Sequence, residues 1–285
     1  MKKKILILYE KSQIIGMGHY YRSLRLKGLL TNDYYVKLIQ LKKKNIFESF
    51  LKDFDLTILD FKKYPKIKNK KKIIIFEDIY KTNKDILSIN PLDINLKNSG
   101  PEFFLFPENL NKIKYNFDKN KKINIFFSQG AKDSNNQLYE VINHILKKKK
   151  KKKQIKFNFT TTSKPMNNNK FKGFDHKILP FNKDVSKTYK GVQIAVSAVG
   201  NTAFELGKIG IPTIHYTVEK REVKRAQIFK RMNLGIYVRK NDKDNLIDEL
   251  NKIYFDDKYR KNLIKNRLKY FNKKNKLLDL IKNEI

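Results

Sequence analysis

Short β-branched runs alternate with longer helical patterns along this chain, the alternation occurs twice, and a polar, charged segment separates the two series. Together these observations predict an α/β protein of two Rossmann-like domains facing a cleft. Residues 4–9 (Lys-Ile-Leu-Ile-Leu-Tyr) form a continuous apolar run of strand length, the pattern of a parallel strand covered on both faces. Residues 35–39, 56–60 and 72–76 repeat it, with weaker strand patterns at 93–96 and 103–106. Helical stretches fill 20–30, 46–53 and 81–87 between them; in the first, Leu26, Leu29 and Leu30 have the spacing of one apolar face. The second series has strands at 122–127, 156–160, 177–179, 192–196 and 213–216, with helices at 135–149, 183–189, 201–209 and 221–232. After Tyr237 the pattern is helical to the end, with Leu246, Leu250, Ile253 and Tyr254 at helical spacing. The expected division is 1–115, 116–240 and a helical segment over 241–285, with the join inside 107–121. The last helices are expected to cross back onto the first domain.

Composition narrows the function. The 285 residues are 40% hydrophobic, enough for real cores, so disorder of the whole chain is excluded. Without cysteine there is no disulfide framework and no thiolate metal site, and the four histidines are too scattered for a zinc cluster; neither a cofactor nor a metal is expected. The apolar stretch after Lys2-Lys3-Lys4 is too short for a signal peptide and runs into Glu10-Lys11, so a cytoplasmic protein is expected. Sixty-four Lys plus Arg against 28 Asp plus Glu give a net charge of +36. Much of that excess lies on solvated helix faces, including the seven-lysine run Lys147 to Lys153, read as a fraying helix end and loop. Such a surface suits anionic small molecules or an anionic membrane face better than a specific nucleic acid. The sequence leaves the oligomeric state open.

Three stretches carry candidate chemistry. The first is Gly16-Met17-Gly18-His19-Tyr20-Tyr21-Arg22, between the first strand and the first helix. Glycines there permit a tight turn and close backbone approach, and a helix N-terminus favours an anion. His19 falls in the first helical turn, where the positive helix end favours the neutral imidazole that a general base must be. The pair Gly16 and Gly18 lacks the third glycine of a dinucleotide fingerprint, and Ile39-Gln40-Leu41 runs into Lys42 with no acidic residue for a ribose. The second stretch is Ser197-Ala198-Val199-Gly200-Asn201-Thr202-Ala203-Phe204-Glu205, a strand end, a small-residue loop and a helix start. A diphosphate suits that helix start, and Glu205 has two readings, a partner for a ribose diol or an ordinary first-turn glutamate. The third, Ser128-Gln129-Gly130-Ala131-Lys132-Asp133-Ser134, again joins a strand to a helix, and Asp133 or Ser134 could simply cap it.

These residues carry a resemblance. Gly-x-Gly-His-x-x-Arg after the first strand, with Glu10 nine residues before His19, resembles the UDP-sugar hydrolases of pseudaminic acid biosynthesis and the related spore-coat polysaccharide biosynthesis proteins. The family has Asp where Glu10 stands. Residues 127–133 resemble its second-domain loop, with Gly130 and Asp133 matching and Ala131 departing. Ser197 to Glu205 with Gly210-Ile211-Pro212 is similar to the nucleotide-binding stretch of the lipid-linked GlcNAc transferase of peptidoglycan synthesis, and Phe76-Glu77-Asp78 matches a family-like strand end. The resemblance covers roughly residues 4–238 and implies a GT-B fold with UDP on the second domain and the sugar in the cleft. It implies His19 as the base that activates water against the anomeric carbon. Glu10, Gly16, Gly18, Arg22, Gly130, Asp133, Ser197, Gly200, Asn201, Thr202 and Glu205 are the substrate-binding candidates. Where the family carries an Asn-Gln pair facing the sugar, this chain has Arg221-Glu222, with Gln227 further on.

The leading expectation is therefore hydrolysis of a UDP-linked amino-deoxy sugar on the way to a nonulosonic acid. Two alternatives stand beside it. One is a GT-B glycosyltransferase of surface polysaccharide synthesis that uses the same donor site. The other is a non-catalytic protein that binds a nucleotide sugar or nucleic acid.

Overall fold

The computed structural model describes residues 1–10, 18–41, 51–61, 72–77, 86–94, 96–120, 122–129, 140–145, 157–161, 176–179, 184–217 and 220–285. The chain forms two compact units. Unit 1 is Met1–Leu105 with Lys273–Ile285, and unit 2 is Phe106–Asn272.

Unit 1 is built on five parallel strands, β1 (Lys4–Tyr9), β2 (Tyr35–Gln40), β3 (Leu56–Asp60), β4 (Ile73–Phe76) and β5 (Leu87–Ile89). Their order is β2-β1-β3-β4-β5. The period-2 alternation of side chains divides each central strand between two cores. Ile5, Ile7, Ile58, Ile74 and Phe76 face helix α1 (Gly18–Leu30) through Leu26 and Leu30. Leu6, Leu8, Leu59, Ile73 and Ile75 pack on Leu51, Phe54 and Phe61. Burying a side chain of this size contributes about 1.5–3 kcal/mol, so both faces stabilise the sheet. The stripe that α1 buries is Arg22, Ser23, Leu26 and Leu30, a four-residue stagger whose first members are polar. Leu29, expected on that face, is 40% exposed, because the stripe follows the i, i+4, i+8 line from Arg22.

Three expectations for unit 1 change. Leu87–Ile89 is a strand on β4 where the sequence suggested the end of a helix; a three-residue edge strand leaves too little periodicity to read. Residues 93–94 and 96 lie in turns, held by Asp93 N–H to Asn90 O (2.9 Å) and Ser99 Oγ to Leu96 O (2.5 Å). Pro101–Phe103 is a 3₁₀ turn with proline at its start rather than the beginning of a strand.

Unit 2 holds six parallel strands, β6 (Ile123–Ser128), β7 (Phe157–Thr161), β8 (His176–Ile178), β9 (Ile194–Ser197), β10 (Thr213–Tyr216) and β11 (Ile236–Val238), in the order β11-β10-β9-β6-β7-β8. Helices α2 (140–145), α6 (Lys243–Phe255) and α7 (Asp257–Phe271) join one core with Ile125, Phe127, Val196 and Ile214. Helices α3 (Val185–Tyr189) and α4 (Asn201–Ile209) lie against the opposite face with Phe126 and Ala195. Helix α5 (Lys220–Arg231) and the last helix, α8 (Leu277–Glu284), complete the described α-helices. The α6 stripe Leu246, Ile247, Leu250 and Ile253 has helical period, and Asp242 caps it by accepting from Asn245 N–H. Contact between α4 and α7 depends on Gly207, where any Cβ would overlap the Phe271 ring.

The join falls earlier than expected. Residues 107–121 read as a polar, charged join, yet Leu110, Ile113 and Tyr115, with Phe106 just before them, pack on the unit 2 core, and the Arg260 guanidinium lies 3.8 Å from the Phe117 ring centroid. Four scattered apolar residues in a charged segment were enough to fasten it. At the other end the helical segment is divided: α6 and α7 belong to unit 2, whereas Leu277 and Ile281 of α8 enter the unit 1 core.

Candidate functional site

In a parallel sheet, ligands gather at the carboxyl edge where strand order reverses direction. In unit 1 that point lies between β1 and β3, since β1 connects outward to β2 while β3 lies on its other side. Tyr9, Asp60 and Phe76 end their strands in register there. His19 and Arg22 arrive on the first turns of α1, and Glu77 follows β4 directly.

These residues form one cluster. His19 Nδ1 lies 2.5 Å from Asp60 Oδ1. Arg22 donates through Nε to Asp60 Oδ2 (2.8 Å) and through one terminal nitrogen to Asp60 Oδ1 (2.5 Å), a two-pronged fork; its other terminal nitrogen donates to Glu77 Oε1 (2.8 Å). Ser23 Oγ adds a bond to Asp60 Oδ2 (3.2 Å). Arg22, Asp60 and Glu77 are all buried, and the His19 side chain keeps 15% of its surface. Burial works against each charge, but Arg22 and then His19 outweigh it at Asp60 and hold that carboxyl below its ordinary value. At Arg22 the two carboxylates likewise overcome burial and raise its pKa.

Beside an ionised Asp60 the contact at 2.5 Å is a hydrogen bond donated by Nδ1–H, the tautomer that in a neutral imidazole leaves the lone pair on Nε2. Arg22 lies 3.3 Å from Nδ1 as well, but two donors make no bond there. Nε2 has no hydrogen-bond partner among the described residues. The arrangement can take up a proton at Nε2 and stabilise the resulting imidazolium against Asp60.

Glu77 stands out by its backbone, with φ 61°, in the left-handed region. The other described non-glycine residues at positive φ are Asn98 and Asn233, and asparagine tolerates that region better. For glutamate the left-handed conformation costs about 1–2 kcal/mol.

In unit 2 strand order reverses between β6 and β9, where the second and third sequence stretches meet. Ser128 and Ser197 end in register, and Ala198 N–H bonds to Ser128 O (3.1 Å). Gln129 Nε2 donates to Tyr216 O (2.8 Å). Beyond them Gly200 caps α4 with no side-chain hydrogen bond. The Ser197 Oγ and Asn201 Oδ1 atoms are buried without a partner among the described residues. At Gly200 φ is −122°, ordinary for any residue, and a Cβ added there would meet no atom within 4 Å. Neither conformation nor packing within the described chain calls for glycine at that position.

Several expectations change or lie outside the described residues. Gly16, Gly130 and Asp133 lie outside the described residues, as does the run Lys147 to Lys153. Arg22, expected on the substrate, is turned inward and spent on Asp60 and Glu77. Glu205 sits in the second turn of α4 rather than the first, is 6% exposed, and accepts from Tyr189 Oη at 2.7 Å. Glu10 is half-buried beside the cluster, its N–H on Asp60 O (3.1 Å). Gly18 opens α1, and Thr202 lies half-buried in the first turn of α4. Of the Arg221-Glu222 pair, Glu222 accepts from the Thr217 hydroxyl. Asp60 went unrecognised; its signal was a single acidic residue closing an otherwise uncharged strand, Leu-Thr-Ile-Leu-Asp.

Among the described residues no group of three His, Asp or Glu could hold a metal ion, and no helix is long and apolar enough to cross a membrane. A cavity of about 390 Å³ in unit 2, lined by Glu140, His144 and residues 240–244, has a hydrogen bond between His144 and Asp244 (2.8 Å) and an ion pair between Lys243 and Glu140 (3.0 Å) at its wall.

No protein-family model matches the chain, and no curated protein matches it. Solved structures do. A glycosyltransferase of kitacinnamycin aligns at 10% identity over all of both chains with TM-score 0.63. MurG of Acinetobacter baumannii aligns at 13% identity over 99% of each chain with TM-score 0.61. The S. aureus MnaA complex with UDP aligns at 10% identity over 99% of this chain and 95% of that one with TM-score 0.63. The glycosyltransferase VinC in complex with dTDP gives TM-score 0.65 at 10% identity, over 99% and 98%. At such identities the likeness concerns architecture: two Rossmann-like α/β units with parallel sheets, the GT-B fold.

Proposed function

We propose that the chain is a glycosyltransferase that takes its sugar from a pyrimidine nucleoside diphosphate, with UDP the first candidate. The observation that carries this reading is the His19 Nδ1–Asp60 pair at 2.5 Å, at the reversal point of the unit 1 sheet. His19 Nε2 takes the proton of an acceptor hydroxyl as that oxygen bonds to the anomeric carbon. The bond from the anomeric carbon to the diphosphate breaks, its electron pair leaves with the nucleotide, and Asp60 stabilises the imidazolium.

In unit 2 the diphosphate is assigned to the start of α4. Gly200 has open space where a Cβ would stand, and helix N-terminal N–H groups suit an anion. Preorganised donors of this kind stabilise charge gathering on the leaving group. Several structural neighbours are glycosyltransferases, and three structures hold UDP or a thymidine diphosphate, which supports transfer over the hydrolysis suggested by the pseudaminic-acid resemblance. Water in place of the acceptor would need the same base.

The test is nucleotide release from a panel of UDP- and dTDP-sugars, followed by NMR with and without added hydroxyl acceptors. Transfer predicts release that depends on an acceptor and a glycosylated product. Brisk release of free sugar without acceptor would restore the hydrolase, and no binding of any donor would refute both.

A further inference from the structure

We propose that Glu77 is a positioning residue for His19, acting through Arg22 and Asp60; the proposal rests on the reading of His19 as the base. Two observations and one general rule lead to it. The Glu77 carboxylate is buried, 4% exposed, and bonded to Arg22. Its backbone is held in the left-handed region, which asparagine or glycine would occupy with less strain. A buried ion network is weak evidence of a stabilising role, because desolvation offsets much of the attraction. Glutamate at this position is therefore poorly explained by folding alone, and strained residues gather where geometry serves function.

The geometry supplies the purpose. A guanidinium is planar, so fixing one terminal nitrogen on Glu77 fixes the plane of the remaining fork. That fork meets both oxygens of Asp60, at 2.8 and 2.5 Å, and sets the carboxylate so that Oδ1 faces His19 Nδ1. Phe76 contributes its ring face, 5.2 Å from the guanidinium carbon, immediately before Glu77 in the chain. The relay runs Glu77 to Arg22 to Asp60 to His19, and its output is the proton on Nδ1 that leaves Nε2 basic.

The test uses the full chain with ¹⁵N-labelled histidine, the His19 signals being assigned by their loss in His19→Asn. Wild type should show Nδ1 protonated and Nε2 bare. In Glu77→Ala the His19 signals should move to a mixture of tautomers, kcat should fall at least tenfold and donor KM should stay within twofold. Glu77→Gln retains an acceptor for Arg22 and should recover most of both. Should the alanine variant fail to fold, Arg22→Lys keeps the cation without the fork and should release His19 in the same way. A folded Glu77→Ala or Arg22→Lys variant with wild-type His19 signals would overturn the proposal. The ¹⁵N measurement needs no substrate, so absence of turnover in wild type would refute the functional reading without touching the relay.

Discussion

Each unit buries an arginine near a histidine, and the two pairs behave in opposite ways. In unit 1 Arg22 meets two carboxylates, and His19 meets one of them. In unit 2 Arg267, fully buried, donates to the backbone carbonyls of Leu234 and Ala203 and lies beside the Phe271 ring. His215, also fully buried, packs edge-on against Phe229 with ring centroids 5.1 Å apart. Burial costs both arginines; only Arg22 is compensated by fixed negative charge. Accordingly the Arg22 pKa is raised, whereas burial lowers Arg267 to about 9, and burial together with Arg267 lowers His215 to about 3. Residue type alone does not mark a site. Opposite charge held in place at the sheet's carboxyl edge is what sets the unit 1 pair apart, and it is the reason the proposed base is placed there.

The sharpest way to break the contrast is His19→Asn. Losing a general base typically lowers kcat by about 10²–10⁴, while nucleotide affinity, assigned to unit 2, should be unchanged. Single-turnover kinetics with a UDP-sugar and isothermal titration with UDP separate the two effects. Wild-type kcat in the variant would remove His19 from the chemistry, and with it the difference between the units.

How far the sequence reveals this depends on how locally each feature is encoded. The central strands were legible because parallel strands buried on both faces are apolar without interruption, as in Ile5 to Tyr9. The place of His19 in the first turn of α1 was legible because the glycines and the helix start are its immediate neighbours. Its partners were not: Asp60 is 41 residues away and Glu77 is 55 from Arg22, and only the sheet register brings them together. The inward turn of Arg22 was hidden for the same reason, since its i+4 and i+8 companions Leu26 and Leu30 show the buried stripe only once the polar end is recognised as part of it. Beyond Leu105, four apolar side chains in a charged segment looked like a linker because their packing partners are distant in sequence.

A pH experiment sharpens the comparison from the unit 2 side. His215 titrates near 3 in the fold and near 6.5 unfolded, so between those values the unfolded chain binds the extra proton. Its contribution is fully present above pH 6.5 and is lost as pH falls. At pH 5 the loss should be about 2 kcal/mol. Asp60 is shifted in the same direction but from a lower starting point: its pKa is depressed below 3.8, so its contribution is lost only as pH falls through and below 3.8, and it adds almost no slope between pH 7 and 5. Urea unfolding at pH 7 and pH 5 should show wild type losing more stability than His215→Leu by that amount. Equal losses would mean that His215 is hydrated or paired, and that the two histidines differ less than their surroundings indicate.

The smallest effect concerns Glu205, which the sequence offered as a partner for ribose. It accepts from Tyr189 Oη at 2.7 Å while nearly buried, joining α3 to α4 beneath the proposed diphosphate site. A hydrogen bond to a charged acceptor contributes about 1.5–3 kcal/mol, and glutamine can still accept one. Glu205→Gln should therefore lower unfolding stability by about 1 kcal/mol and leave UDP affinity within twofold. The outcome discriminates because the alternatives move different quantities. A carboxylate that holds a ribose diol loses affinity when neutralised and leaves stability alone; one that anchors Tyr189 does the reverse. Calorimetric titration with UDP alongside urea unfolding of the same variant reads both. A tenfold loss of affinity with unchanged stability would move Glu205 from the packing of unit 2 to its nucleotide site.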